Sequence, residues 1–236
     1  MSEPLRIGLI VEGPTDQIVI EAVLATVLRE RSRIVTRLQP EVSEAFGERG
    51  TGWPGVYKWC RQTAVQAGGS ISGNKLLLHY DLLIIHLDAD VADLDYRSGN
   101  IDPDPTDLAL PCARPCPPPA ATTDELRRVL LSWCGEPAVP GTTVICMPSK
   151  STEAWVVASL FPTDRELLRV NPFDCFANPE GRLGQQPKRQ RIRKSVSDYR
   201  THQSELVSQW PRIAGPGGLI EAARFDGELR SAIARL

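Results

Sequence analysis

Two acidic tips, each at the end of an apolar run, are the residues of this chain best placed to do chemistry. Ile7-Gly8-Leu9-Ile10-Val11 runs into Glu12-Gly13-Pro14-Thr15-Asp16, and Leu82-Leu83-Ile84-Ile85-His86-Leu87 runs into Asp88-Ala89-Asp90. Runs of Leu, Ile and Val without polar alternation read as fully buried strands of a parallel sheet. In an open α/β sheet, ligands bind outside the carboxyl ends of the strands. Carboxylates gathered there repel one another and lose hydration, so they call for a cation or bound protons. A hard divalent metal on oxygen ligands meets that need. Asp88 and Asp90 would share one face of an extended strand tip, about 7 Å apart, and a neighbouring strand about 4.8 Å away would bring Glu12 to the same pocket. A further acid, Glu153, follows the fourth apolar run within Pro148-Ser149-Lys150-Ser151-Thr152-Glu153, in the first turn of a helix. Lys150 beside it could neutralise a phosphate or a leaving oxygen.

Each of these residues also has a plainer reading. Glu12 would gain about 0.3–1 kcal/mol merely by facing the positive end of the next helix. Thr15 or Asp16 can cap that helix. Asp88 and Asp90 could be solvated turn residues, and a lone histidine such as His86 in an apolar strand is usually a hydrogen-bonded core residue. Taken singly, the plainer readings win; taken together, the acids at matching strand tips predict a metal site.

The elements that must position these groups follow from periodicity. Val19, Val23 and Val27, with Ile20, Leu24 and Leu28, form the apolar stripe of a helix lying on a sheet. Ile34 to Leu38 reads as a second strand, 41–55 as a loop and Val56 to Ala67 as a helix stopped by Gly68-Gly69. After the third strand, residues 93–122 mix aspartates with many prolines, and Pro117-Pro118-Pro119 fits neither a helix interior nor a central strand. Such a segment is expected to be a lid or disordered. Helix returns at Thr123 to Trp133, capped by Thr123 or Asp124, then a fourth strand at Thr143 to Met147 and a helix at Ser151 to Leu160. Beyond Phe161, prolines and glycines precede a basic run, Lys188-Arg189-Gln190-Arg191-Ile192-Arg193-Lys194, a helix through Trp210 and a final helix from Leu219 to Leu236. This order predicts an α/β fold, a parallel sheet flanked by helices over residues 1–160, with a mostly helical C-terminal extension over 161–236.

The hydrophobic content of 42% supports a substantial core, and the net charge of −2 leaves room for a local basic face. Lys188, Arg189, Arg191, Arg193 and Lys194 are the candidate nucleic-acid contacts, against the plainer reading of a solvated helix face. Trp53, Trp59 and Trp155 read as core or interface anchors. No secretory leader and no run of roughly 20 apolar residues is present, so a cytoplasmic protein without membrane contact is expected. The six cysteines are scattered. Cys112 and Cys116 could be half of a zinc site, but no second pair at ligand spacing completes it.

The pattern resembles the TOPRIM family, the metal-binding fold of topoisomerases, bacterial primases and the overcoming-lysogenization-defect nucleases. Its hallmarks are a Glu-Gly ending the first strand and an Asp-x-Asp ending a later one, here Glu12-Gly13 and Asp88-Ala89-Asp90. Thr152-Glu153 is similar to the Ser/Thr-Glu element of the nuclease branch. The opening Val11-Glu12-Gly13-Pro14-Thr15-Asp16 and the later Thr152-Glu153-Ala154-Trp155 resemble stand-alone TOPRIM-related bacterial proteins, a family thought to accompany ATPase genes in phage defence. The likeness spans roughly residues 5–160, and the proline-rich insertion departs from it.

The resemblance implies a nuclease that hydrolyses phosphodiesters of DNA or RNA with Mg²⁺ (or Mn²⁺). Glu12, Asp88 and Asp90 would hold one ion, or two about 4 Å apart. Asp16 and Glu153 would be outer or second-metal ligands, and Lys150 would stabilise developing charge. An ATPase partner is expected, and the number of subunits stays open. The alternative is a scaffold that docks an ATPase without cutting, using 93–122 and the basic C-terminal region as docking surfaces. A small-molecule phosphotransferase or phosphatase would want a phosphate loop of the form G-x-x-x-x-G-K-[ST], which the sequence lacks.

Overall fold

The four apolar runs pair into one sheet. In the computed structural model, which describes residues 3–41, 48–102 and 109–236, β1 (Leu5–Ile10), β2 (Arg33–Gln39), β3 (Leu82–His86) and β4 (Thr143–Cys146) are all parallel and lie in the order β2-β1-β3-β4. Side chains alternate across the sheet, so each strand feeds two cores. Leu5, Ile7, Leu9, Leu82, Ile84, Val144 and Cys146 pack with α1 (Pro14–Leu28), α4 (Glu153–Leu160), α6 (Val196–Ile213) and α7 (Ile220–Ile233). Ile10, Leu83, Ile85 and Ile145 pack with α2 (Gly52–Gln66) and α3 (Ala120–Cys134). Crowding on this second face explains Gly8 in mid-strand: a Cβ there would lie 2.8 Å from Leu83 Cδ2 and 2.9 Å from Leu38 Cδ1.

From β1 the chain goes to one side for β2 and to the other for β3. The strand order therefore reverses between β1 and β3, and such a reversal opens a crevice at the carboxyl ends of the two strands. Both acidic tips lie there.

Several boundaries move from those expected. Helix α2 begins at Gly52, inside the stretch read as loop; residues 42–47 of that stretch lie outside the described residues. Neither Thr15 nor Asp16 caps α1: Gly13 holds the cap position, and Pro14 starts the helix without needing a bonded N–H. Helix α3 begins at Ala120, so Thr123 and Asp124 fall inside it, and the Thr123 hydroxyl instead donates to Glu221 Oε1 at 2.9 Å.

The described parts of 93–122 differ from a structureless loop. Short 3₁₀ turns cover Ala89–Asp93 and Tyr96–Gly99. Tyr96, Ile101 and Leu110 are buried in the α2–α3 core, and Trp133 Nε1 donates to the Tyr96 hydroxyl at 3.0 Å. Three apolar anchors in an otherwise polar stretch suffice to dock it; Asp104 and Asp107 lie outside the described residues. Cys116 forms a disulfide with Cys175, which removes it from any zinc pair with Cys112 and ties the insertion to the C-terminal extension.

The extension covers the sheet. The Trp155 ring lies 5.1 Å from that of Trp210 on α6 and 5.8 Å from that of Phe225 on α7. Trp53 and Trp59 are likewise core residues. Among the described residues no helix is long and apolar enough to cross a membrane.

Candidate metal centre

Glu12 follows β1 by two residues. Its tip is tied on both sides, by Val11 N–H to Gln39 O at 2.9 Å and by Gly52 N–H to Glu12 O at 2.8 Å. Beside it, β3 ends at His86 and runs into Asp88. The Asp88 N–H donates to Glu12 Oε1 at 2.7 Å, so the two tips are joined directly. Asp88 Oδ1 is held by His86 Nε2 at 3.0 Å and by the Thr152 N–H at 3.2 Å. The Thr152 hydroxyl donates to Asp16 Oδ1 at 2.7 Å. Potential ligand atoms of Glu12, His86 and Asp88 all lie within 4.8 Å of one another.

A pattern runs through these bonds. Glu12, Asp16 and Asp88 each commit one oxygen to a protein donor, and among the described residues the other oxygen is uncommitted. Carboxylates fixed in this way are pre-oriented one-oxygen ligands, the donor type that hard divalent cations take. The charges of Glu12 and Asp88 are only partly offset by their neighbours. Burial, then the neighbouring Asp88, pushes the Glu12 carboxyl well above the ordinary range, against His86, with Asp16 adding to the rise. Burial also pushes Asp88 well up, with Asp16, Glu153 and Asp90 adding to it and Lys194 opposing. A bound cation would reverse that penalty.

Glu153, fully buried at the start of α4, behaves differently. Burial raises its carboxyl, but Lys194 and hydrogen bonds from Ser151 and Tyr199 outweigh this and hold it below the ordinary range. The Tyr199 hydroxyl donates to Glu153 Oε1 at 2.6 Å, and Lys194 Nζ lies 3.4 Å from the same oxygen and 3.2 Å from Glu180 Oε2. Glu153 is thus an ion-pair partner of the extension. It does not belong to the three-residue cluster.

The two aspartates of Asp88-Ala89-Asp90 also separate. A 3₁₀ turn starts at Ala89, and about 120° per residue carries Asp90 away from the direction of Asp88. Asp88 is buried and Asp90 exposed, its N–H bonded to Lys150 O at 3.1 Å. Lys150 Nζ turns to Asp93 Oδ2 at 3.5 Å. The cation on the crevice is Lys194, which lines it together with Glu12, Asp16, Thr51 and Asp88. The basic run is a loop between α5 (Pro179–Gln185) and α6, not a helix face, with Ile192 buried as its anchor. Lys188, Arg189, Arg191 and Arg193 are exposed along it.

Sequence reasoning left His86 in the core, named Thr152 only as part of the Thr152-Glu153 element, and did not single out Tyr199. The one local signal was the two-residue step from His86 to Asp88; nothing local marks Tyr199. Comparison with known proteins finds no matching family model, no matching curated protein and no matching solved structure.

Proposed function

We propose that this chain is a divalent-metal-dependent phosphodiesterase acting on nucleic acid, of the TOPRIM type that its motifs resemble, and that it serves phage defence beside an ATPase. The observation that carries the proposal is the junction of the two strand tips: Glu12 and Asp88 share a hydrogen bond and lie within one metal's reach at the β1–β3 crevice. Glu12 and Asp88 would hold Mg²⁺ or Mn²⁺, with Asp16 adjacent. Bound there, the ion would supply Lewis-acid polarisation of a phosphoryl oxygen and a more acidic water. Glu12 and Asp88 orient their free oxygens through bonds to the chain itself. Lys194 faces the same crevice and suits the phosphate-neutralising role that the sequence suggests for Lys150. The exposed basic loop suits contact with the backbone of a polyanion.

The test combines binding with turnover. Titration calorimetry should detect Mn²⁺ and Mg²⁺ binding to the wild type, and both ions should raise its melting temperature. Plasmid nicking or decay of labelled RNA should require the ion, stop with EDTA, and be assayed with and without candidate ATPases. A protein that binds neither ion and cleaves nothing in any combination would rule the proposal out and leave a scaffold.

The two lysines separate cleanly. Lys194→Ala should slow cleavage about 10²–10³-fold, the usual loss of an electrostatic stabiliser, with metal affinity kept or tightened because a cation leaves the crevice. Lys150→Ala should change the rate less than about threefold, as expected of an exposed ion pair. Single-turnover rates at saturating metal measure both. The reverse ranking would return the role to Lys150.

A further inference from the structure

We propose that the outer edge of β2 is a docking surface for an extended acidic segment of a partner protein, which adds to the sheet as a further strand. The order β2-β1-β3-β4 leaves β2 at one end of the sheet, and its seven residues make it the longest of the four strands. In a parallel ladder, each residue of an edge strand turns both backbone groups to the same side, and successive residues alternate. Leu5 N–H donates to Ser32 O, and Leu5 pairs with Arg33. Ser32, Ile34 and Thr36 therefore bond inward to β1, while Arg33, Val35 and Arg37 turn their N–H and C=O groups outward. Such a row of unpaired backbone groups is a template for another strand.

The side chains along that row select the partner. Arg33, Val35 and Arg37 share the face of β2 that packs on α1, where Arg37 Nη1 donates to Gln17 Oε1 at 3.1 Å. Arg37 Nε is buried and has no partner among the described residues. An open cleft of about 840 Å³ separates this edge from α6, with Arg29, Arg31, Arg33 and Val35 on one side and Gln203 and Val207 on the other. Glu21 and Glu30 also line it, yet among the described residues none of these four arginines is ion-paired with an acid. Three arginines against two acids, with Arg37 alongside, give the edge a net positive charge. On the opposite face of β2, Ile34 is an apolar side chain left 53% exposed.

An added strand would alternate as β2 does. Its acids would lie beside Arg33 and Arg37 on one face, and its apolar side chains beside Ile34 on the other. The segment that fits is thus extended, with acidic and apolar residues in alternation. In this mode of recognition, backbone bonds supply affinity and alternate side chains supply specificity. A second copy of the chain fits badly. Two β2 strands paired antiparallel about Val35 would set Arg33 opposite Arg37 of the second copy, and like charges placed so are destabilising. Edge arginines repel basic strands; an acidic strand turns the same charges into an attraction.

The test uses the full chain and a capped peptide of alternating Glu and Val, as long as β2. Its controls are the Lys–Val counterpart and a peptide of the same composition with its glutamates in one block. By fluorescence anisotropy the alternating acidic peptide should bind at least about tenfold more tightly than either control, a difference of about 1.4 kcal/mol, and binding should weaken with salt. In amide hydrogen exchange it should slow Arg33, Val35 and Arg37. Arg31→Glu with Arg33→Glu should lower its affinity about tenfold, because two exposed ion pairs become repulsions. The same double variant should bind the Lys–Val peptide better than the wild type does, a gain that misfolding could not produce. Equal binding of all three peptides, protection away from β2, or protection of β2 by a DNA duplex in place of the acidic peptide would each overturn the proposal. A dimer that protects the β2 amides without peptide would give the edge to a second copy and overturn it as well. The cleft and the β1–β3 crevice share no lining residue, so this result and the metal proposal stand or fall separately.

Discussion

Asp88→Asn should leave the chain folded and, without metal, more stable at neutral pH than the wild type, while metal binding and cleavage both disappear. Asparagine keeps the size of the side chain, and its carbonyl oxygen can still accept from His86 and from the Thr152 N–H. What it loses is the charge that a cation needs and that the metal-free site carries at a cost. Burial, reinforced by Asp16 and Glu153, raises the Asp88 carboxyl, and burial reinforced by Asp88 raises Glu12. A raised carboxyl binds its proton more tightly in the folded state than in the unfolded chain. Its stabilising contribution is therefore full below the unfolded value of about 4 and is lost as pH climbs through the raised folded value.

Metal-free wild type should accordingly lose this contribution to its melting temperature from about pH 5 upward, and saturating Mn²⁺ should restore it most at the higher pH. In Asp88→Asn the pH dependence should flatten, with a gain of roughly 2–4 °C for each kcal/mol of repulsion relieved. Mn²⁺ affinity should fall by more than about a hundredfold, beyond the loss typical of an outer partner. Melting curves at several pH values with EDTA or Mn²⁺, together with the cleavage assay, measure all of this. A variant that melts lower than the wild type without metal, or still binds Mn²⁺ well, would contradict the proposed site.

Ending the chain at Leu160 should abolish folding, although every acid of the metal motif lies before that point. Tyr199, Leu206, Trp210, Ile213, Leu219, Phe225 and Leu229 all belong to the extension and are buried against the sheet side that carries α1 and α4. At about 1.5–3 kcal/mol for each large apolar side chain, these seven contribute roughly 10–20 kcal/mol. That is comparable with or larger than the net stability of about 5–15 kcal/mol of a whole domain. Their removal also strips cover from Trp155, Val19 and Val23. The fragment 1–160 should lack cooperative thermal unfolding, bind a hydrophobic dye and be cut rapidly by protease. Trp210→Ala in the full chain is a milder version, expected to cost about 3–5 kcal/mol in urea unfolding. A fragment that is monomeric and melts cooperatively would show that the part carrying the candidate metal site is independent of the extension.

Much of the frame was legible because its signals are local. Each strand is a short contiguous apolar run, and α1 announces itself through Val19, Val23 and Val27. Burial on both faces of a parallel sheet removes polar alternation, so these runs could be read without knowing their neighbours. The acids Glu12 and Asp88 were legible as a candidate site for the same reason, since a charge directly after a buried strand must lie at the sheet's edge.

What the chain could not reveal locally is which edges meet and where long side chains end. The order β2-β1-β3-β4 makes Glu12 and Asp88 neighbours, and that order comes from how two helical layers pack on the sheet. Asp90 left the site because a 3₁₀ turn at Ala89 replaced the extended tip, a choice made by backbone bonds to Pro148 and Lys150. Lys194, far along the chain, lines the crevice where Lys150 was expected, because α6 lies along α1 and brings the preceding loop over it. His86 changed meaning through a single bond to Asp88. Apolar pattern and charge at a strand tip are properties of adjacent residues, and the sequence determines them by itself. Pairing between a lysine, a tyrosine and a buried glutamate from separate segments depends on three-dimensional packing, and only the tertiary structure decides it.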